Sequence, residues 1–250
     1  MSVLRSVLRR LPPRVVRQLR VLKRRLAGVP PVGHFNFGDF RRLSPASRGF
    51  GYERGQPIDR YYIERFLESR ASHIAGRVLE IGDNEYTLRF GGQRVTRSDI
   101  LHVHAGNPKA TIVADLAHAP HVPSDSFDAI ILTQTLLLVY DLRAAVATLH
   151  RILKPGGVLL VTVPGVSWVP TRSEWGDTWY WAFSEASVRR LLAEAFGDRV
   201  ETAVAGNVLA AVAFLEGLCA EELEREELDH VDPDYPVTIV ACAVKARLPA

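Results

Sequence analysis

From Arg77 onward, short and almost wholly apolar runs alternate with longer amphipathic ones. R-V-L-E-I-G (77–82), V-T-R-S-D-I-L (95–101), A-T-I-V-A-D-L (110–116), S-F-D-A-I-I-L-T-Q-T (126–135) and G-V-L-L-V-T-V-P (157–164) read as buried strands. V-E-T-A-V-A (200–205) and P-V-T-I-V-A-C-A-V (236–244) read as two more. Continuous apolar runs of this length belong to strands buried on both faces. Leu142, Val146, Leu149, Ile152 and Leu153 recur at helical spacing over 141–153, and K-P-G-G closes that helix with a glycine turn. Ser184 is placed to cap a helix that runs to Phe196. After Pro57, Ile58, Tyr61, Tyr62 and Phe66 give one apolar face, predicting a helix that leads into the sheet. This alternation predicts an α/β fold: a doubly wound, mostly parallel sheet covered on both faces.

The pattern ahead of the sheet is different. From Val3 to Leu26, Leu and Val alternate with Arg at near-helical spacing, and Pro12–Pro13 divides the run into two short helices. Pro30, Pro31 and Gly33 mark a linker. His34, Phe35, Phe37, Phe40, Phe50 and Tyr52 make the next stretch aromatic but too irregular for a long element. The expected organisation is a basic amphipathic helical extension and linker over 1–33, a cap or lid region over 34–76, and the main domain over 77–250.

Charge sharpens that division. The formal net charge is +3, yet residues 1–28 hold nine Lys or Arg and no acid. The rest of the chain holds 22 basic residues against all 28 acidic ones, a net of −6. A basic amphipathic helix over 1–28 suits an anionic membrane surface or an acidic partner; a solvated leader fits the same composition equally well. The acidic remainder repels phosphates, so no nucleic-acid partner is expected. No run approaches the roughly 20 apolar residues of a membrane span, and arginines break up what would be the core of a secretory leader. Cys219 and Cys242 make neither a disulfide framework nor a zinc site, so they read as buried small hydrophobes and no metal is expected. The balance points to a cytoplasmic protein, with residues 1–28 as the part that would lie at the inner membrane surface.

Ligands of open α/β sheets sit outside the carboxyl ends of the strands. The first strand ends Glu80-Ile81-Gly82-Asp83-Asn84, and a glycine there lets backbone approach a ligand closely. Asp99, in the second strand, follows Gly82 by 17 residues, a carboxylate suited to ribose hydroxyls. The third strand ends Asp115-Leu116, a carboxylate for an amino group beside an apolar wall for a ring. The fourth ends Thr133-Gln134-Thr135, small polar groups suited to line a pocket. A strand-end Asp is more often a cap or turn former; the recurrence at successive strand ends raises the odds of a site.

V-L-E-I-G, the Asp of the second strand, A-D-L-A-H-A-P-H-V-P-S-D-S-F-D-A-I-I-L-T-Q-T-L and L-H-R-I-L-K-P-G-G-V-L-L-V-T-V-P together resemble the class I S-adenosylmethionine-dependent methyltransferases, in particular the bacterial methyltransferase type 11 group. The resemblance covers about residues 58–245, is most specific over 126–164, and extends to W-G-D-T-W-Y-W-A-F-S (175–184). It implies a seven-stranded Rossmann-like sheet with the last strand antiparallel. It also implies S-adenosylmethionine as cofactor, cradled by the Gly82 loop, with ribose on Asp99 and adenine near Asp115 and Leu116, while Asp83 or Glu80 helps hold the methionine end. Only one glycine of the family's Gly-x-Gly-x-Gly loop is present, and Asn84, tolerant of left-handed backbone, is expected to stand in for another. A-G-N-P-K leaves almost no room for a helix between the second and third strands.

Methyl transfer needs alignment of donor and acceptor above all. A hydroxyl acceptor also needs a base; His34, His102, His104, His118, His121 and Asp177 are candidates, and none has a partner at diagnostic spacing. Arg60, Tyr61 and Tyr62 before the first strand and Trp175, Trp179, Tyr180 and Trp181 after the fifth are expected to meet over the cofactor, with about half of these aromatics serving as core instead. The expected acceptor is a sugar or glycan-precursor hydroxyl, and the expected activity S-adenosylmethionine-dependent methyl transfer. A binding or scaffold protein on a degenerate fold is the rival reading, motivated by the altered loop.

Overall fold

The structure, a computed structural model, describes residues 12–26, 28–173 and 175–247. The chain divides into two compact units, Met1–Ser44 and Pro45–Ala250.

In the first unit, helix α1 spans Pro13–Leu26. Proline suits the first helical position, where its missing N–H bonds nothing, so the Pro12–Pro13 step opens this helix. The earlier of the two predicted tail helices lies outside the described residues. Val15, Leu19, Leu22 and Leu26 recur at intervals of four, three and four, share one helix face, and are exposed. Phe35 and Phe37 meet edge to face at 5.0 Å.

The second unit is built on one sheet: β1 (Gly76–Ile81), β2 (Val95–His102), β3 (Ile112–Val113), β4 (Phe127–Thr133), β5 (Leu153–Pro164), β6 (Val200–Ala205) and β7 (Thr238–Val244). Their order is β3-β2-β1-β4-β5-β7-β6. β1 to β5 run parallel, and β7 inserts antiparallel between β5 and β6. The seven-stranded, mostly parallel sheet with an antiparallel last strand is what the sequence predicted. Two strands differ from expectation. β3 is only two residues long, since Asp115 turns back on His118 at once. β5 begins at Leu153, because K-P-G-G forms a bulge and not a helix-ending turn: Phe127 faces Leu153 and Ala129 faces Val158. Gly156 takes φ +84° in that bulge, a backbone that favours glycine.

Helix α2 (Ile58–Ser69) leads into β1 and lies on one face of the sheet. Its Ile63 and Leu67 pack with Val78 of β1, Ala129 and Ile131 of β4, and Val158 and Leu160 of β5. The opposite face is covered by α3 (Leu142–Ile152) and α4 (Glu185–Phe196). Asp141 caps α3 by accepting from Ala144 N at 3.0 Å. Ser184 caps α4 in a reciprocal pair with Ser187, and Gly197 ends that helix at φ +65°. Val188, Leu192 and Phe196 fall on one buried stripe of α4, each burial stabilising by roughly 1.5–3 kcal/mol. Two helices between β6 and β7, α5 (Val208–Glu216) and α6 (Arg225–Asp229), were not predicted. α5 is apolar on every side and shows no 3.6-residue stripe; its signals were the Asn207 cap and Gly217 in the left-handed region.

No regular α-helix joins β1 to β2, only irregular turns over Thr87–Gly91 and Gly92–Arg94, and none joins β2 to β3. The shortened connections predicted from Gly91-Gly92 and A-G-N-P-K are present.

Candidate functional site

The order reverses at β1: β2 follows on one side and β4 on the other. This is the switch point at which open α/β sheets take ligands. Register places Ile81 beside Leu101, Leu101 beside Ile112, and Glu80 beside Ile131. The carboxyl rim therefore brings together Gly82, the His102–His104 turn, Asp115, and Thr133-Gln134.

Gly82 has φ +91°, and a Cβ built on it would meet nothing within 4 Å. Its backbone faces open space, which fits close approach by a ligand. Its N–H donates to Leu101 O at 3.0 Å and its carbonyl accepts from Asn107 Nδ2 at 2.6 Å. Asp83 Oδ1 accepts from Glu85 N at 3.1 Å, shaping the loop. Asn84 does not replace a glycine as expected: it keeps an ordinary negative φ, and its Nδ2 donates to Ser98 Oγ at 3.0 Å, tying the loop to β2. Gln134, by contrast, has φ +46°, a strained backbone for a side-chain-bearing residue. Its N–H donates to Thr162 O at 2.9 Å, and Thr133 lies half-buried beside it.

Glu80 is buried beneath this loop. Its carboxylate accepts from Thr87 N and Thr87 Oγ1, both at 2.7 Å, and from Tyr86 N at 3.3 Å. Burial pushes its carboxyl up to about 7 despite the Thr87 bonds that favour the charged form. Glu80 therefore organises the turn after Gly82 from below.

Asp99 departs from expectation. β2 runs on to His102, so Asp99 pairs with Leu79, inside the sheet and not at its rim. It is 1% exposed. Arg77 Nε lies 2.7 Å and Arg97 Nε 3.1 Å from Oδ2, and Thr111 Oγ1 donates to Oδ1 at 3.2 Å. Burial alone would raise its carboxyl; the hydrogen bonds from Arg77 and then Arg97 outweigh it and hold the group below the usual range. The residues at the rim of β2 are His102 and His104, joined through His102 Nδ1 and the His104 backbone.

Asp115 reaches the rim, exposed, with Oδ1 accepting from Ala117 N at 2.8 Å. Leu116 does not form an open wall; it is buried in the core beneath α3 and α4. Among the other histidines, His121 Nε2 lies 3.0 Å from Val113 O. His34 belongs to the first unit.

Among the described residues no ring pair joins the two aromatic segments. Tyr62 is buried, donating to Leu228 O at 3.0 Å, and Tyr61 donates to Asp229 at 2.6 Å. Trp181 donates to Val139 O at 2.9 Å. Phe50 stacks on Trp168 at 4.5 Å and on Trp179 at 6.5 Å, and it packs against the buried cluster that holds Tyr62. Phe50 takes φ +58°, a genuine outlier for an aromatic residue. Phe50, Trp168, Tyr52 and Tyr86 were not selected from sequence as site residues; the Phe50-Gly51 step was the available signal for the first.

Among the described residues, four buried side-chain polar atoms lack a partner: Asp59 Oδ1, Thr162 Oγ1, Thr238 Oγ1 and Trp168 Nε1. Thr162 alternates with Leu160 and Thr238 with Cys242, so both hydroxyls lie on the α2 face near the carboxyl end of β5. Buried groups of this kind are usually satisfied by water or a ligand. A cleft of about 500 Å³ opens elsewhere, between α2, β6 and β7, lined by Arg65, Ser69, Arg70, Glu201 and Cys242 among others. Its Arg70 is already paired with Glu201 at 2.6 Å.

A family model described as a methyltransferase domain matches residues 68–161, the segment that holds β1 to β4 and most of β5. Over 93 residues the chain is 36% identical to the ubiquinone/menaquinone biosynthesis C-methyltransferase UbiE of Marinomonas sp. (strain MWYL1), covering 37% of this chain and 35% of that protein. The chain thus spans about a third of the length of the curated relative it matches. A solved S-adenosylmethionine-dependent methyltransferase of Thermotoga maritima shares the fold with a TM-score of 0.53 at 17% identity, covering 78% of this chain and 94% of that one. The [4+2]-cyclase SpnF shares it with a TM-score of 0.51 at 16% identity, covering 92% and 94%.

Proposed function

We propose that this chain, whose residues 68–161 match a methyltransferase-domain family model, transfers a methyl group from S-adenosylmethionine to a small-molecule acceptor. The observation that carries the reading is the bare Gly82 corner, open to space at the switch point of a sheet whose rim also holds Asp83, His102, Asp115 and Gln134. The cofactor supplies an activated methyl on sulfur, so the protein's part is alignment. Gly82 and Asp83 would border its methionine end, and Asp115 its adenine amino group. Thr133 and Gln134 would line the opposite wall. With Asp99 committed to Arg77 and Arg97, the ribose edge falls to the His102–His104 turn. Isothermal titration with S-adenosylmethionine tests this: binding is expected, and no heat at millimolar cofactor sinks the reading.

The acceptor we propose is a sugar or glycan-precursor hydroxyl. The stacked faces of Phe50, Trp168 and Trp179 support it, since aromatic planes suit sugar rings. Methyl incorporation found only on nitrogen or carbon acceptors would exclude it. We further propose that α1 rests on an anionic membrane surface. Its exposed Val15, Leu19, Leu22 and Leu26 lie on a helix with no acidic residue. Among the described residues no helix is long and apolar enough to cross a membrane. Sedimentation with phosphatidylglycerol vesicles but not with phosphatidylcholine vesicles is expected; equal recovery with both would refute the contact.

A second reading, a binding or scaffold protein with weak or no turnover, has its own support. The expected ribose carboxylate is withdrawn into ion pairs, and a cyclase shares the fold. Cofactor binding without transfer to any tested acceptor would favour it.

A further inference from the structure

The partly buried Arg77 lies 2.7 Å from Asp99, and Arg70 lies 2.6 Å from Glu201. Arg60, the third residue of α2, has no ion pair of that quality. Its side chain is largely buried, 27% exposed, yet the nearest carboxylate oxygen, Asp59 Oδ2, stands 4.0 Å from Nε. Nε donates to Tyr52 Oη at 3.0 Å and Nη1 reaches Tyr86 Oη at 3.5 Å. Its remaining N–H groups have no partner among the described residues. A guanidinium has five donors in a planar fork that matches a carboxylate. Withdrawn from water, it needs an anion close by.

Asp59 answers that need poorly. It is buried, its Oδ1 has no partner, and burial pushes its carboxyl up, so it is a weak counter-charge. The side that Arg60 faces is informative. Tyr86 belongs to the loop that follows Gly82, and the N–H of Tyr86 is held by Glu80. Tyr52 and Tyr86 thus fix the guanidinium beside the turn that follows Gly82, where Tyr86 packs on the α2 face of the sheet.

We infer that Arg60, positioned by Tyr52 and Tyr86, binds the α-carboxylate of the amino-acid end of S-adenosylmethionine. This rests on the cofactor reading above. The carboxylate is the cofactor's one anionic group, and it lies at the opposite end from adenine. Arg60 completes the chain of contacts that Gly82 and Asp83 begin, and it supplies a charge partner that neither of them can.

The test compares two probes by isothermal titration of the full chain. S-adenosylhomocysteine keeps the amino-acid end; 5′-methylthioadenosine lacks it. Arg60→Gln should weaken S-adenosylhomocysteine by about 10- to 100-fold and leave methylthioadenosine unchanged. Arg60→Lys, which keeps the charge but loses the fork, should fall between. Thermal melting of both variants checks that they fold. Equal weakening of the two probes, or no change in either, overturns the assignment while leaving the cofactor reading intact. This includes the case in which Arg60 serves an anionic acceptor instead. If the native protein binds neither probe at millimolar concentration, the cofactor reading itself fails.

Discussion

Glu80 and Asp99 stand on adjacent strands, both buried and both acidic, yet their surroundings reverse their electrostatics. Glu80 alternates with Val78 and so shares the α2 face; Asp99 alternates with Leu101 and so shares the α3–α4 face. Glu80 has no cation against it: its hydrogen bonds come from Tyr86 and Thr87, and burial, helped by the nearby charge of Asp83, carries its carboxyl up to about 7. Asp99 has two guanidiniums, and its carboxyl is held below the usual range. One carboxylate shapes the loop at which a ligand would sit. The other staples β1 to β2. An acid in a strand therefore says little about a binding role until its register and its cations are known.

The largest expected effect comes from removing the staple. Asp99→Ala leaves Arg77 beside a vacancy in the sheet, and breaking a buried pair costs about 3–5 kcal/mol. A melting-temperature loss of roughly 6–20 °C should follow for a chain of this size. Affinity for S-adenosylhomocysteine, measured on the folded variant at low temperature, should stay within about twofold of native, since Asp99 lies three residues short of the end of β2. A variant that melts normally but loses the ligand would return Asp99 to the binding site and erase the contrast with Glu80.

The two carboxylates also predict opposite slopes of stability with pH. A raised folded-state pKa means the folded protein holds its proton longer than the unfolded chain. Glu80 thus stabilises fully below about pH 4.5, and that contribution fades as pH rises to about 7. The amount is on the order of 3 kcal/mol. Asp99 has a depressed folded-state pKa, so its contribution is present above about pH 3.9 and lost as pH falls below that. Urea unfolding from pH 3 to 8 should therefore show a decline from pH 4.5 to 7 that Glu80→Gln flattens. A native-like slope in that variant would assign the decline to another group.

These contrasts explain which parts of the molecule were legible in the sequence. β4 and β5 were, because Ile130–Leu132 and Val158–Val161 are apolar without a break and only a doubly covered strand needs that. Gly82 was, because a glycine directly after V-L-E-I has few uses other than a turn. The ion pairs of Asp99 were not legible, because its partner Arg77 is 22 residues away in sequence and only the register of β1 on β2 brings the two together. Leu116 was misplaced because a two-residue strand turns at Asp115 and carries the next side chain inward. α5 escaped because a helix apolar on every side has no stripe to detect. The Arg60 contacts with Tyr52 and Tyr86 join segments 8 and 26 residues apart, and no local pattern announces them.

The smallest effect separates the two arms of the staple. Arg77 and Arg97 both reach Asp99 Oδ2, at 2.7 and 3.1 Å, but their side chains are 28% and 62% exposed. Arg77 also lies over the Phe127 ring at 4.7 Å, which adds a cation–π contact in a partly desolvated place. Arg97 is mostly in water, where screening and side-chain entropy cancel most of the attraction. Arg97→Ala should cost no more than about 1 kcal/mol, and raising salt should shrink that cost further. Arg77→Ala strips the shorter charged hydrogen bond and should cost about 1.5–3 kcal/mol, nearly independent of salt. Chemical unfolding of both variants at low and high salt reads the difference directly. Equal costs would mean that Asp99 is as solvated as its outer arginine. Its contrast with Glu80 would then be one of exposure, where the structure makes it one of partners.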